Sequence, residues 1–123
     1  MGDRGKKIIN MLLQENELPN WFEYPSELMV LINQKLFDFD PWVLLIDDRL
    51  KLRFEGVKKR YPNRKLIPFA RREDNDDLAC FDESMKVVII HDFASVGFEG
   101  GKESIEFWDW LKIAVNDMIE YNL

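Results

Sequence analysis

The sequence predicts an α+β fold: a single domain in which a twisted antiparallel sheet of about four strands is flanked by N-terminal helices and an aromatic C-terminal helix. Apolar residues recur at helical spacing in the first half of the chain and near its C-terminus. Residues 65–91 instead contain short β-rich runs separated by polar clusters. The 123 residues, 46% of them hydrophobic, are enough for one core, so we assign residues 1–123 to one domain.

Two helices are predicted at the N-terminal end. The first covers Asp3–Leu18, because Asp3 is placed to cap it and Pro19 stops it. The second begins near Ser26 and is predicted to end near Phe37, since its apolar positions recur on one side.

A strand and a third helix follow. Residues 38–41 are a predicted turn, and Trp42–Ile46 is an apolar run of strand length. Asp47 or Asp48 can then cap a helix that Pro62 ends. The apolar positions of this helix fall at i, i+4, i+7 and i+11: Leu50, Phe54, Val57 and Tyr61.

Three further strands are predicted at Lys65–Ala70, Leu78–Phe81 and Lys86–His91, where Ile, Val, Phe and Leu are concentrated. Residues 71–77 form the first connection. Asp82–Ser84 forms the second, which is short enough for a tight hairpin. Consecutive strands joined in this way are typical of an antiparallel sheet.

The last helix is predicted after Ser104, which can cap it, with Glu106 near its positive end. One apolar row contains Trp108, Leu111, Val115 and Met118, and the adjoining row contains Phe107, Trp110, Ala114 and Tyr121. A helix with so broad an aromatic face is expected to lie across a sheet.

Charge is unevenly distributed along the chain, whose formal net charge is −6. Residues 49–72 carry ten Lys or Arg against a single acid, Glu55, whereas residues 73–123 have a net charge of −10 and residues 1–48 one of −5. The basic segment is a candidate for contacts with nucleic-acid phosphates. Against that interpretation, the rest of the chain would repel a polyanion.

The connection 71–77 is the main candidate site. It contains four carboxylates within five residues: Glu73, Asp74, Asp76 and Asp77. The stretch from Asp74 resembles the opening of an EF-hand, but Ala79 stands where that loop needs glycine and Met85 where it needs a bidentate glutamate. We therefore expect a solvated turn or an acidic contact surface, with no metal and no cofactor.

The other candidates favour structural roles. His91 with Asp92 could serve acid–base chemistry, but adjacent residues on an extended chain point to opposite faces. Gly97, Gly100 and Gly101 lack the Lys-Ser/Thr of a phosphate loop. Of the four tryptophans, only Trp21 is expected to lie outside the core and so to be available for stacking. We therefore predict no catalytic residue.

Cys80, the single cysteine, cannot form an internal disulfide, so a reducing cytoplasm is the expected location. The apolar stretch from Ile8 to Leu13 is too short and too polar for a secretory segment, and no run approaches the length of a membrane span.

Most of the chain resembles the bacterial branch of the SUKH superfamily. The stretches that carry the resemblance are KLIPFARREDNDDLACFD, VVIIHDFASVGFEG and FWDWL, together with Pro41–Leu45 upstream, and the resemblance covers about residues 20–120. It implies an α+β domain. Many bacterial members are immunity proteins, which bind and neutralise a cognate toxin domain, often a nuclease, without being enzymes.

Both lines of reasoning predict a protein-binding module that acts through an acidic surface, and the resemblance implies that its partner is a toxin. The predicted contact residues are Glu73, Asp74, Asp76 and Asp77 in the connection 71–77, with Glu99 and Glu103 on the later loop. A nucleic-acid-associated domain that uses residues 49–72 is the alternative. Oligomeric state stays open.

Overall fold

The computed structural model describes residues 11–91 and 104–123, and within them it confirms the α+β prediction. A short 3₁₀ helix, Glu15–Glu17, precedes the α-helices. The α-helices are α1 (Ser26–Asn33), α2 (Asp47–Arg60) and α3 (Phe107–Tyr121). The strands are β1 (Asp38–Phe39), β2 (Trp42–Leu44), β3 (Ile67–Arg72), β4 (Asp77–Phe81) and β5 (Val87–His91).

The sheet is an antiparallel meander in the order β1-β2-β3-β4-β5, so each strand pairs with its neighbour in the sequence. It has five strands where the sequence predicted about four. The additional strand is β1, which lies in the predicted turn and pairs Asp38 with Val43 and Phe39 with Trp42. Two residues are too few to produce a recognisable period, so this hairpin left no strand pattern in the sequence.

Strand β3 extends two residues beyond its predicted end at Ala70. Arg71 pairs with Val43 of β2 and Arg72 with Trp42, and the strand is irregular between Pro68 and Ala70. The sequence assigned both arginines to the connection because they are charged. In the fold, their guanidinium groups pair with carboxylates of the turn that follows β3, while their backbones remain paired with β2.

The N-terminal helix prediction fails where it can be compared. Residues 3–10 lie outside the described residues, but Asp3–Leu18 is not one continuous helix, because the chain bends at Leu12 and only Glu15–Glu17 is helical after it. There the Gln14 N–H donates to Glu17 Oε1 over 2.8 Å.

Helix α1 ends at Asn33, four residues before its predicted end. Lys35 adopts the left-handed conformation at φ 59°, and the Leu36 N–H then donates to the Leu31 carbonyl over 2.9 Å. This is a Schellman ending, which usually contains glycine at the left-handed position. A lysine at that position gave no stop signal in the sequence.

The caps predicted for α2 and α3 are also wrong. Ile46 occupies the N-cap position of α2, so Asp47 and Asp48 lie in the first turn, where carboxylates favour the positive end of the helix. Helix α3 is preceded by Glu106 and not capped by Ser104. The chain is still extended just after Ser104, because Ile105 exchanges two backbone hydrogen bonds of 2.7 and 2.9 Å with Val87.

One face of the sheet is covered by α3, as predicted. Trp110 makes edge-on contacts with Trp42 and Phe69 at ring-centroid distances of 5.5 and 4.8 Å, and Phe107 stacks on Phe81 at 6.0 Å. Phe69 and Phe81 are themselves stacked at 4.3 Å. These side chains are buried and form the centre of the core.

Helix α2 covers the opposite face. Val43 and Arg71 are cross-strand neighbours, so their side chains share a face of the sheet. Both line a cleft with Arg49, Leu52 and Arg53 of α2. The consecutive residues 78–81 of β4 are all buried, as expected for a strand covered on both faces. In the described part of the chain, no helix is both long and apolar enough to cross a membrane.

Candidate partner-binding surface

The predicted acidic turn joins β3 to β4, and its carboxylates are paired with the two arginines that end β3. Arg71 bonds to Asp76 through Nη2, and its Nη1 lies 3.9 Å from Glu73 Oε2. Arg72 holds both oxygens of Asp74, through Nε at 2.7 Å and Nη2 at 3.2 Å. The turn therefore orders its own charges, while the side chains of Glu73 and Asp76 stay 51% and 43% exposed.

Asp77 has a different position from the other three predicted residues. It belongs to β4, is half-buried, and its N–H donates to Asn75 Oδ1 over 3.0 Å. In register it lies opposite His91, whose side chain is outside the described part of the structure. Glu99, Glu103, Asp92 and the loop glycines 97, 100 and 101 also lie outside the described residues.

Asp117 of α3 ties the helix to this turn. Its Oδ2 accepts hydrogen bonds from Trp42 Nε1 at 2.9 Å and from Arg72 Nη1 at 3.1 Å, and the side chain is 18% exposed. The hydrogen bond to Asp74 is the main cause that raises the pKa of Arg72, and the charges of Asp117, Asp74 and Asp77 add to it. The guanidinium therefore stays charged.

The tip of the β1–β2 hairpin lies against the same turn. The Glu73 N–H donates to the Pro41 carbonyl over 2.9 Å, and the Asn122 side chain donates to the Asp40 carbonyl over 3.0 Å. The Asp40 N–H in turn donates to Asp38 Oδ1 over 2.9 Å. These bonds place two further exposed carboxylates beside the predicted site.

The first turn of α2 completes the cluster. Asp47 and Asp48 line a cleft of about 460 Å³ together with Asp38, Glu73 and Arg49. We call the resulting surface the acidic end. It comprises eight carboxylates and three arginines: Asp38, Asp40, Asp47, Asp48, Glu73, Asp74, Asp76 and Asp117, with Arg49, Arg71 and Arg72. Its formal net charge is −5, compared with −2 for residues 71–77 alone.

The other end of the sheet is different, because basic side chains there are paired with acidic ones. Four ion pairs define it: Lys51–Glu17 at 3.9 Å, Lys58–Glu55 at 2.9 Å, Lys65–Glu83 at 3.4 Å and Lys86–Glu106 at 3.9 Å. We call these residues, with the neighbouring Arg64, the mixed end; its formal net charge is +1. At least half of the ten basic side chains of residues 49–72 therefore have acidic partners in space, here or at the acidic end.

Two tryptophans differ in their surroundings from what the sequence suggested. Trp21 is half-buried, lies edge-on to Phe22 at 5.6 Å, and lines two clefts beside the mixed end. Trp108 was expected in the core but is 43% exposed, because Phe107 and Trp110 occupy the side of α3 that faces the sheet. The predicted apolar face of α3 is thus only partly buried.

Other chemistry is limited in the described residues. Cys80 is fully buried in β4. Within residues 11–91 and 104–123 no group of three or more His, Cys, Asp or Glu side chains is arranged to hold a metal ion. Burial raises the pKa of Tyr24 well above its ordinary value, although the Leu13 N–H, which donates to its hydroxyl over 3.2 Å, acts in the opposite direction.

The sequence interpretation missed five carboxylates of the acidic end: Asp38, Asp40, Asp47, Asp48 and Asp117. The first four are visible in the sequence as two closely spaced pairs of aspartates. Nothing in the sequence indicated that these pairs meet the β3–β4 turn, because hydrogen bonds between distant segments bring them together.

Comparison of the chain with protein-family models, with curated proteins and with solved structures gave no match. The fold and the surface describe an α+β domain. Its antiparallel meander has a helix on each face, and negative charge is concentrated at one end of the sheet.

Proposed function

We propose that this protein is a non-enzymatic protein-binding module, an immunity protein that neutralises a cognate bacterial toxin domain by docking its acidic end on a basic surface of the toxin. The observation that carries the proposal is the convergence of eight carboxylates from four chain segments on one end of the sheet, against three arginines. A toxin that acts on nucleic acid has a basic substrate groove of the kind such a surface would cover.

The geometry suits a recognition surface because its carboxylates are held in place. Arg71 and Arg72 orient Asp76 and Asp74, and a backbone hydrogen bond from Glu73 to Pro41 fixes the β1–β2 tip against the β3–β4 turn. Side chains that are ordered before binding lose less conformational entropy on association. A net charge of −5 on one end would also accelerate encounter with a basic partner.

The resemblance of residues 20–120 to the SUKH superfamily supports the same proposal, because many bacterial members are immunity proteins. The resemblance and the surface are independent arguments. The first rests on the turn and strand patterns of the sequence, and the second on where the tertiary structure places carboxylates.

The alternative, binding of nucleic acid through residues 49–72, is weaker because at least half of the basic side chains in that segment have acidic partners. Lys51, Lys58 and Lys65 pair with glutamates at the mixed end, and Arg71 and Arg72 pair with carboxylates of the acidic end. A polyanion would have to displace these acids and would approach a surface of net charge −5.

The test begins with the neighbouring reading frames, which we expect to encode a large secreted protein with a variable C-terminal domain. Binding to that domain is then measured as association and dissociation rates at several salt concentrations. The variant D48N/E73Q removes two exposed charges from the acidic end. E55Q/E83Q is the matched control, since it makes the same change in net charge at the mixed end, where both side chains are more than 60% exposed. We expect the first variant to associate roughly tenfold more slowly at low salt and the control to match the unmodified protein.

Equal slowing by both variants would mean that overall charge, and not the acidic end, drives association. If the unmodified protein instead binds duplex DNA or RNA at physiological salt and K58E/K59E abolishes that binding, the nucleic-acid alternative replaces this proposal.

A further inference from the structure

Helix α3 carries an exposed apolar stripe that the core does not use. Trp108 is 43% exposed and Ile119 is 52% exposed, while Leu111 and Val115 between them are partly buried. The four residues fall at i, i+3, i+7 and i+11, so they lie along one side of the helix. The stripe adjoins the buried row formed by Phe107, Trp110 and Ala114.

An exposed tryptophan in such a row has the properties of an interface anchor. Tryptophan buries more apolar area than other side chains and is enriched among residues whose truncation weakens protein complexes most. Single exposed apolar residues are ordinary on protein surfaces, but here Trp108 and Ile119 lie on one side of α3 with the half-buried Leu111 and Val115 between them.

The charges of α3 indicate what kind of partner would cover the stripe. The outward side of the helix carries Asp109 and Glu120 against Lys112, and Glu106 lies at its start. Toward its C-terminus, Asp117 is bonded to Arg72 and Asn122 to the Asp40 carbonyl, so the helix runs directly into the acidic end. The complementary surface is therefore basic at its rim and apolar at its centre. A second copy of this acidic helix would be repelled.

We propose that the stripe formed by Trp108, Leu111, Val115 and Ile119 is the apolar centre of the interface with the basic toxin domain, and that the acidic end is its charged rim. This inference rests on the proposed function and deepens it by dividing the roles of the two surfaces. The carboxylates accelerate association, because long-range attraction acts before contact. The apolar stripe slows dissociation, because its burial is lost only when the complex separates.

The experiment compares W108A and I119S with L52S in the same kinetic measurement. Leu52 lies on α2, on the opposite face of the sheet from α3, and is 68% exposed, so L52S removes an exposed apolar side chain that does not belong to the stripe. We expect W108A to raise the dissociation rate by roughly 30-fold and I119S by roughly fivefold, with association rates within about twofold of the unmodified protein. L52S should leave both rates unchanged.

Thermal unfolding of each variant shows whether it is folded, and I119S provides the test if W108A is not. If the toxin domain binds but neither α3 variant changes its dissociation rate, this inference is wrong and the proposed function stands. If the toxin domain does not bind at all, both are wrong. Sedimentation that reveals a dimer of the unmodified protein, dissociated by W108A, would assign the stripe to a second copy and overturn the inference.

Discussion

The acidic end and the mixed end show how differently two charged regions of one small domain can be organised. At the acidic end, eight carboxylates lie beside three arginines, so the formal net charge is −5. At the mixed end, each lysine of the four ion pairs faces a glutamate within 4 Å, and little net charge is left. Strand β3 and helix α2 both run from one end to the other.

A run of like charge in a sequence therefore does not define a charged surface. Residues 49–72 have a formal charge of +9, yet their partners come from the 3₁₀ helix, the β4–β5 hairpin and the acidic turn. Residues 71–77 are only modestly acidic alone. They become part of a strongly acidic surface because other segments contribute carboxylates to the same end.

The largest effect should come from Asp117, the partly buried carboxylate of the acidic end. D117A leaves Trp42 Nε1 without an acceptor and removes one partner of Arg72. Because the loss of a partner to a charged group costs more than an ordinary hydrogen bond, we expect the free energy of unfolding to fall by about 2 kcal/mol. Chemical denaturation measures it.

D117N is the matched control, because its amide oxygen can still accept from the indole. It should lose clearly less stability than D117A. Equal losses from both variants would show that the charge toward Arg72, and not the hydrogen bond to Trp42, supplies the stabilisation.

A pH-dependent effect is expected beside the mixed end, at Tyr24, which lines a cleft there with Trp21 and Met85. Burial raises its pKa in the folded protein. The unfolded chain loses this proton at about pH 10, while the folded protein keeps it to higher pH. The contribution of the protonated Tyr24 hydroxyl to the free energy of unfolding is therefore complete below about pH 10. It is lost as pH rises through the folded pKa of Tyr24.

The comparison of Y24F with the unmodified protein isolates this contribution. At pH 8 Y24F should be less stable, because the Leu13 N–H loses its acceptor. Between pH 9 and pH 11.5 the difference in unfolding free energy should shrink, since phenylalanine has no proton to lose. A difference that stays constant over that range would contradict the direction assigned to the Tyr24 pKa.

The smallest effect is expected for the exposed pair Lys58–Glu55 at the mixed end. Its side chains are 51% and 62% exposed, and they lie three residues apart on α2. Because water screens such pairs, E55A should change the free energy of unfolding by about 0.3 kcal/mol. A loss as large as that of D117A would mean that the ion pairs of the mixed end stabilise the fold, which would remove the energetic contrast between the two ends.

The sequence alone determined the kind of fold and most of its elements. The apolar spacing in α2 and the short β-rich runs of β3, β4 and β5 follow from local periods of 3.6 and 2, which a sequence displays directly. It also located the acidic turn. The sequence misplaced the end of α1 and the start of α3. A Schellman turn at Lys35 ends α1, and a bridge from Ile105 to Val87 delays the start of α3. Both depend on backbone hydrogen bonds that these residue types do not signal.

Only the tertiary structure decided which charges survive as a surface. Local composition set the number of carboxylates and cations, but their pairing depends on which distant segments come within about 4 Å. The hydrogen bonds from Glu73 to Pro41 and from Asn122 to Asp40 collect the acids at one end, whereas glutamates from four segments neutralise the lysines at the other. The exposure of Trp108 was decided in the same way, since α3 can turn only one side to the sheet.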